Sequence, residues 1–205
     1  GKGTFCYSGG TVLYSKPGAK ERRDSSGTRA APRGGAQLLS EGRKYKYMSF
    51  EKAKADLKAK GLEDHIIVLN ESSATVAEAA QALGVEPAMI AKTLSVLQGD
   101  KPVLIVTEGT ARLDNHKYKS LFHIKAKMIP YDEVETYVGH APGGVCPFGV
   151  NEGVEIYLDE SLRKFETVYP AAGNGHTAVR LTLQELEAAA DAKGWVDVCK
   201  EPEAE

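Results

Sequence analysis

The stretch Ile90-Ala-Lys-Thr-Leu-Ser-Val-Leu-Gln-Gly-Asp-Lys-Pro-Val-Leu-Ile-Val-Thr107 decides the fold class. Two apolar runs, Thr93–Gln98 and Pro102–Thr107, flank Gly99-Asp100, a pair with the turn chemistry of a β-hairpin. Lys92 stands between the short helix that Pro87 opens and the first of these strands. Its ammonium must stay out of the core, either by snorkelling at a strand edge or as a cation held at a cleft mouth, where it can meet phosphate or a developing negative charge.

Outward from the hairpin, helices and strands interleave. Phe50, Ala53 and Leu57 share one helical face, and Gly61 suits its end. His65–Asn70 reads as a strand. Thr75-Val-Ala-Glu78 is a capping box that opens a helix running to Leu83 and closed by Gly84. Asn115–Leu121 and Tyr131–Val138 read as short helices, and Val154–Leu158, Thr167–Tyr169 and Thr177–Leu181 as strands. A C-terminal helix over Thr182–Lys193 follows, with Thr182 and Glu185 as a second capping box. Without a strict βαβ rhythm, this predicts a mixed α/β (α+β) single domain, its sheet mixed and largely antiparallel, with helices packed around it.

That domain spans roughly 48–200, followed by an acidic tail, 201–205. Residues 1–47 differ: they hold nine glycines, few aliphatics and no period of 2 or 3.6, and read as a disordered basic extension. Met48 is followed at once by the first helical pattern, so the natural protein is expected to start there. The extension carries 10 Lys+Arg against 3 Asp+Glu, whereas 48–205 carries 16 against 25, nets of +7 and −9 within the total of −2. An acidic body argues against a general nucleic-acid binder, so RNA contact requires a local patch. Arg112, Lys117, Lys119, Lys125 and Lys127, with His116 and His123, are that patch; Asp114 is the only acid among residues 111–127. A plain solvated surface is the alternative.

No apolar run reaches the ~18–20 residues needed to span a membrane, and three cysteines, Cys6, Cys146 and Cys199, make neither a disulfide framework nor a Cys-x-x-Cys site. A reducing, cytoplasmic setting is expected. The histidines show no metal-ligand spacing, so neither metal nor cofactor is expected.

Two further segments carry chemistry. Gly139-His-Ala-Pro-Gly-Gly-Val-Cys-Pro-Phe-Gly149 packs four glycines and two prolines into one loop. Backbone N–H groups at such glycines can approach a ligand unobstructed and form an oxyanion hole or anion nest; a tight crossover loop would look the same. Its Cys146 and His140 raise the option of a cysteine nucleophile with a histidine base. Tyr169-Pro-Ala-Ala-Gly173-Asn-Gly-His176 is a turn before a strand, where Asn174 or His176 would either bond a substrate or simply shape the turn.

The order of Ala91-Lys-Thr-Leu94, Pro142-Gly-Gly-Val-Cys-Pro-Phe-Gly149 and Ala172-Gly-Asn174 leading to Leu181-Thr182 resembles the YbaK/ProX family of aminoacyl-tRNA deacylases, free-standing relatives of the prolyl-tRNA synthetase editing domain. The early helix at Thr75–Ala80 and Leu83–Val85 is also similar, and the resemblance spans about 49–195. It implies a trans-editing hydrolase that, without a metal, removes a small wrong amino acid from tRNA, tRNA-Pro or a related one, with prolyl-tRNA synthetase as a further possible partner. A non-catalytic aminoacyl-tRNA or amino-acid binding module with the same fold is the alternative. The resemblance places Lys92, Gly143 and Gly144 in the catalytic role and Thr93, Val145, Cys146, Pro147, Gly173, Asn174 and His176 around the substrate. Two departures stand out: Cys146 takes a position commonly serine, and Ala178 falls where cysteinyl-tRNA-specific members tend to carry an acid, leaving alanyl-, seryl- or threonyl-tRNA as candidate substrates.

Overall fold

A computed structural model describes residues 7–8, 11–12 and 48–202. The chain divides into two units, 1–40 and 41–205. In the first, β1 (Tyr7–Ser8) pairs antiparallel with β2 (Thr11–Val12). The expected disorder of 1–47 otherwise falls outside the described residues, as does most of the acidic tail.

The second unit opens with α1, residues 48–59. Ala53 and Leu57 on its inner face are fully buried, and Gly61 ends it with φ +74°, a conformation that costs glycine little. A 3₁₀ turn, Glu63–His65, leads to β3 (Ile66–Val68). The capping box forms as read: Thr75 accepts from the Glu78 N–H at 3.2 Å, and Glu78 reaches back to the Thr75 N–H at 3.1 Å. It opens α2 (Val76–Leu83), which stops at left-handed Gly84. Beyond the 3₁₀ turn Pro87–Met89 comes the hairpin of β4 (Ile90–Gln98) and β5 (Lys101–Glu108), paired through eight registers. Then follow β6 (Arg112–Leu113), α3 (Asn115–Phe122), β7 (Lys127–Met128), α4 (Val134–Val138), β8 (Glu155–Asp159), β9 (Thr167–Pro170), β10 (Thr177–Val179), β11 (Leu181–Thr182), α5 (Leu183–Ala189), β12 (Gly194–Val196) and β13 (Cys199–Lys200).

The main sheet runs β11-β9-β4-β5-β8-β12, with β7 also on β4; β3 pairs with β10 and β6 with β13. Pairing is mixed, with antiparallel contacts ahead: β9, β8 and β12 join in parallel, and the other pairings of this unit are antiparallel. β5 explains its own apolar run. Its alternate side chains feed two cores: Leu104 and Val106 pack with Leu57, Leu158 and Leu186 on one face, and Val103 and Ile105 pack with Tyr118, Val196 and Val198 on the other. A central strand covered on both faces shows no alternation. Among the described residues, no helix is long and apolar enough to cross a membrane.

Several boundaries differ from the sequence reading: β3 is Ile66–Val68, shorter than 65–70, and α4 starts at Val134 rather than Tyr131; three more have a pairing behind them. β4 begins at Ile90 rather than Thr93, so Lys92 lies inside a strand. The stretch 177–181 breaks at Arg180, because β10 serves β3 while β11 serves β9. The last helix ends at Ala189, since the Lys193 N–H bonds to Ile156 O and Gly194–Val196 joins β8.

Candidate active site

β4 has two neighbours along one edge. β9 covers Ile90 and Ala91, and β7 covers Val96 and Leu97. Between them, on this edge, Lys92, Thr93, Leu94 and Ser95 have no strand beside them among the described residues, although Ser95 O accepts from the Ile129 N–H at 3.0 Å. An open cleft of about 260 Å³ occupies this gap. Its walls come from the segment leading into α2 (Ser73–Val76), from Tyr131 and Val134, from Pro142, Gly143 and Val145 of the glycine loop, from Tyr169–Ala171 and from Thr177 and Ala178. Ligands commonly sit where the neighbours of a strand part, because that is where backbone and side chains are left uncovered.

Strand alternation puts Ala91 and Thr93 on one face and Lys92 and Leu94 on the other. The Lys92 ammonium donates to Gly109 O at 2.9 Å and to Ala111 O. No carboxylate bonds it among the described residues. Burial holds its pKa below the usual lysine range, with Cys199 and Glu108 opposing that shift. An ammonium has three hydrogens, so one remains beyond these two carbonyls.

The glycine loop is fixed by backbone contact. Gly143 has φ +84° and is exposed at the cleft. A Cβ on Gly144 would lie 2.4 Å from Asn174 N, so loop and facing turn touch directly. Gly144 N–H already donates to Ala141 O at 3.1 Å, which makes Gly144 a packing residue rather than an anion donor. The amides of Gly143 and Val145 make no hydrogen bond among the described residues, and both residues line the cleft.

The family is settled by comparison with known proteins. Residues 70–189 match the model of the aminoacyl-tRNA editing domain. The chain belongs to the aminoacyl-tRNA editing domain family. Its editing domain is 45% identical over 140 residues to uncharacterized protein YwhH of Bacillus subtilis, covering 68% of this chain and 89% of that protein. It is 34% identical over 95 residues, 43% of this chain, to the proline–tRNA ligase of Limosilactobacillus fermentum, of which it spans 17%. A crystal structure of a proposed trans-editing enzyme for prolyl tRNA synthetase superposes with TM-score 0.68 at 31% identity, covering 74% of this chain and 97% of that one.

The structure sorts the expected site residues of the editing domain into three groups. Lys92, Thr93, Gly143 and Val145 line the cleft together. Gly144, Cys146, Pro147 and Gly173 are buried and lie behind its wall. Asn174 and His176 shape the turn: Asn174 Oδ1 accepts from His176 N–H at 2.9 Å and Thr177 Oγ1 at 3.0 Å, and His176 Nδ1 lies 3.0 Å from Glu71 O.

The pairing of Cys146 with His140 is structural. Cys146 is fully buried, and burial pushes its thiol up to about 12. His140 Nε2 lies 2.6 Å from Phe148 O and must donate there, which leaves Nδ1 to accept from Ser49 Oγ at 2.8 Å. The nitrogen nearest the thiol, at 3.5 Å, therefore carries the proton and cannot act as its base. Burial also holds His140 below its ordinary value.

In the basic patch, Lys117 is spent: its ammonium bonds Asp197 at 2.7 Å and Cys199 O at 2.9 Å, and the Asp197 contact raises its pKa. Arg112, Lys119, Lys125 and Lys127 are exposed and pair with no carboxylate among the described residues. From Lys127 the chain runs antiparallel beside β4 and delivers Tyr131, 78% exposed, to the cleft. Sequence reasoning missed Tyr131 and Ser73; a lone tyrosine after Pro130 and a serine two residues before a helix cap look like ordinary surface residues.

Proposed function

We propose that this editing domain hydrolyses the ester between a small, wrongly attached amino acid and tRNA, with tRNA-Pro as the foremost carrier. The observation that carries this reading is the cleft on the open edge of β4, which Lys92, Gly143 and Val145 line together, the last two with amides that make no hydrogen bond among the described residues. Water adds to the ester carbonyl, whose oxygen takes the negative charge. The Gly143 and Val145 amides stabilise that oxygen, and Lys92 supplies positive potential. The bond to the ribose oxygen then breaks, and that oxygen takes the proton released by the attacking water, giving free amino acid and tRNA. Among the described residues no histidine or carboxylate lines the cleft, so the adjoining ribose hydroxyl is the group best placed to relay the proton. Tyr131 at the mouth offers a face on which the terminal base can stack, and the cations at 119, 125 and 127 can meet phosphates.

The same lack of a base favours, as a second reading, a module that binds aminoacyl ends without turnover. The purified chain, assayed with EDTA present against a panel of mischarged tRNAs, is expected to release amino acid from at least one. Tight binding with no release from any member would leave the binding module.

A further inference from the structure

Four aliphatic hydroxyls line the cleft. Two are engaged: Thr75 Oγ1 accepts from the Glu78 N–H, and Thr177 Oγ1 bonds Asn174. The other two, Ser73 Oγ and Thr93 Oγ1, are buried and have no hydrogen-bond partner among the described residues. Ser73 is 8% exposed, and its N–H is anchored to Gly175 O at 2.6 Å, so the residue is held in place while its side chain is idle. Buried hydroxyls are almost always satisfied, and each exception asks for an explanation. No described protein group and no bulk solvent serves these two, and both residues line the same cleft, where a bound ligand can reach Ser73 after a turn about χ1 and Thr93 after a step between its fewer staggered rotamers.

Resting on the deacylase reading, the structure assigns Ser73 and Thr93 as a specificity pair that selects a hydroxyl-bearing aminoacyl side chain, of the seryl or threonyl type, over one that is purely aliphatic. Depth orients the substrate. The tRNA is too large to enter, so its ribose and ester stay at the mouth, beside exposed Gly143 and Tyr131. What reaches the two buried hydroxyls is the free end of the amino acid. The remaining walls are mostly apolar, and Ala74, Ala79, Ala91, Val145, Ala171 and Ala178 among them are small, beside the larger Ile90, Val134 and Tyr169. They leave room for a short side chain and offer no carboxylate to a cationic one. A site whose buried polar groups are completed only by a substrate hydroxyl rejects the analogue lacking it, because the unpaired groups stay unpaired.

Deacylation of seryl-, threonyl- and alanyl-tRNA-Pro is to be compared in the wild-type protein and in Ser73→Ala and Thr93→Val. The wild type is expected to favour the seryl over the alanyl substrate by roughly 10-fold or more, and each variant to bring that ratio down by about the same factor. Binding of amide-linked 3′-seryl- and 3′-alanyl-aminoadenosine to the wild type, followed by calorimetry, needs neither turnover nor a variant. Preference for the seryl analogue without hydrolysis of any tRNA would overturn the deacylase reading and keep the specificity pair. Equal binding of the two analogues, an alanyl preference, or an equal loss on every substrate would overturn the pair, the last outcome placing the hydroxyls on the shared amino or ester group.

Discussion

Two half-buried lysines of this domain have opposite surroundings. Lys60, at the end of α1, donates to Asp56 at 3.0 Å, Asp191 at 2.8 Å and Ala189 O at 2.6 Å. Burial lowers its pKa, but the hydrogen bonds and charges of Asp191 and Asp56 outweigh that and leave it raised. Asp56 also accepts from the Gly149 N–H at 3.0 Å, so the cluster ties α1 to the tail of α5 and to the glycine loop. Lys92 has carbonyls in place of carboxylates, and its pKa is lowered. The difference is one of neutralisation. Lys60 spends its charge on holding elements together, whereas Lys92, on a cleft-lining strand, is bonded only to carbonyls, with Glu108 acting on it through space, an arrangement that keeps potential for an incoming anion.

The sharpest break of this comparison exchanges the readouts. Lys92→Ala is expected to lower deacylation by ~100-fold or more, about 2.7 kcal/mol of transition-state stabilisation, with little change in unfolding midpoint. Lys60→Ala is expected to keep most activity and lower stability by about 1–3 kcal/mol, the range for hydrogen bonds to charged groups. Rates and denaturation curves on the same two samples decide it; a destabilised but active Lys92→Ala would reverse the assignment.

A pH series sharpens the contrast. Lys92 has a depressed pKa, so it loses its proton below the ordinary lysine value of ~10.4, and the rate should fall on the alkaline side earlier than for an unperturbed lysine. Lys60 has a raised folded pKa, so its contribution to stability is complete below the unfolded lysine pKa and fades only as pH rises through the folded value. Over the alkaline range where activity fails, Lys60's share of stability should therefore remain. Rate and unfolding midpoint measured at each pH check this, and parallel loss of both would contradict it.

The smallest effect concerns the basic patch. Lys119→Glu and Lys125→Glu should weaken tRNA binding and reduce the slope of log affinity against log salt by about 1 for each phosphate contact removed. Lys117→Glu should act mainly on stability, because Asp197 already holds that cation. Filter binding across a salt series separates the two cases; an equal slope change at 117 would show that its ion pair opens on RNA.

Much of this was legible in the chain. The Thr75–Glu78 box, the Gly99-Asp100 hairpin and the inner face of α1 are local signals, read within a few residues and found in place. The two- and three-residue strands at Arg112–Leu113, Lys127–Met128, Gly194–Val196 and Cys199–Lys200 were not, since their pairing is imposed by partners far along the chain. The same holds within the site. Family-like motifs brought Lys92, Thr93, Gly143 and Val145 to one cleft. That Gly144 spends its amide on Ala141, that Cys146 lies beneath the wall, and that Ser73 lines the same cleft as Thr93 are facts of packing, and no spacing encodes them.

The interrupted edge of β4 has one more consequence. An unpaired strand edge invites other chains to dock and aggregate. Here the bare stretch is four residues, about 13 Å at the rise of a strand, and β9 and β7 close it at either end. That is shorter than the segments that build cross-β stacks. The domain can therefore leave this edge without a partner strand, because the gap is too short to template a foreign one.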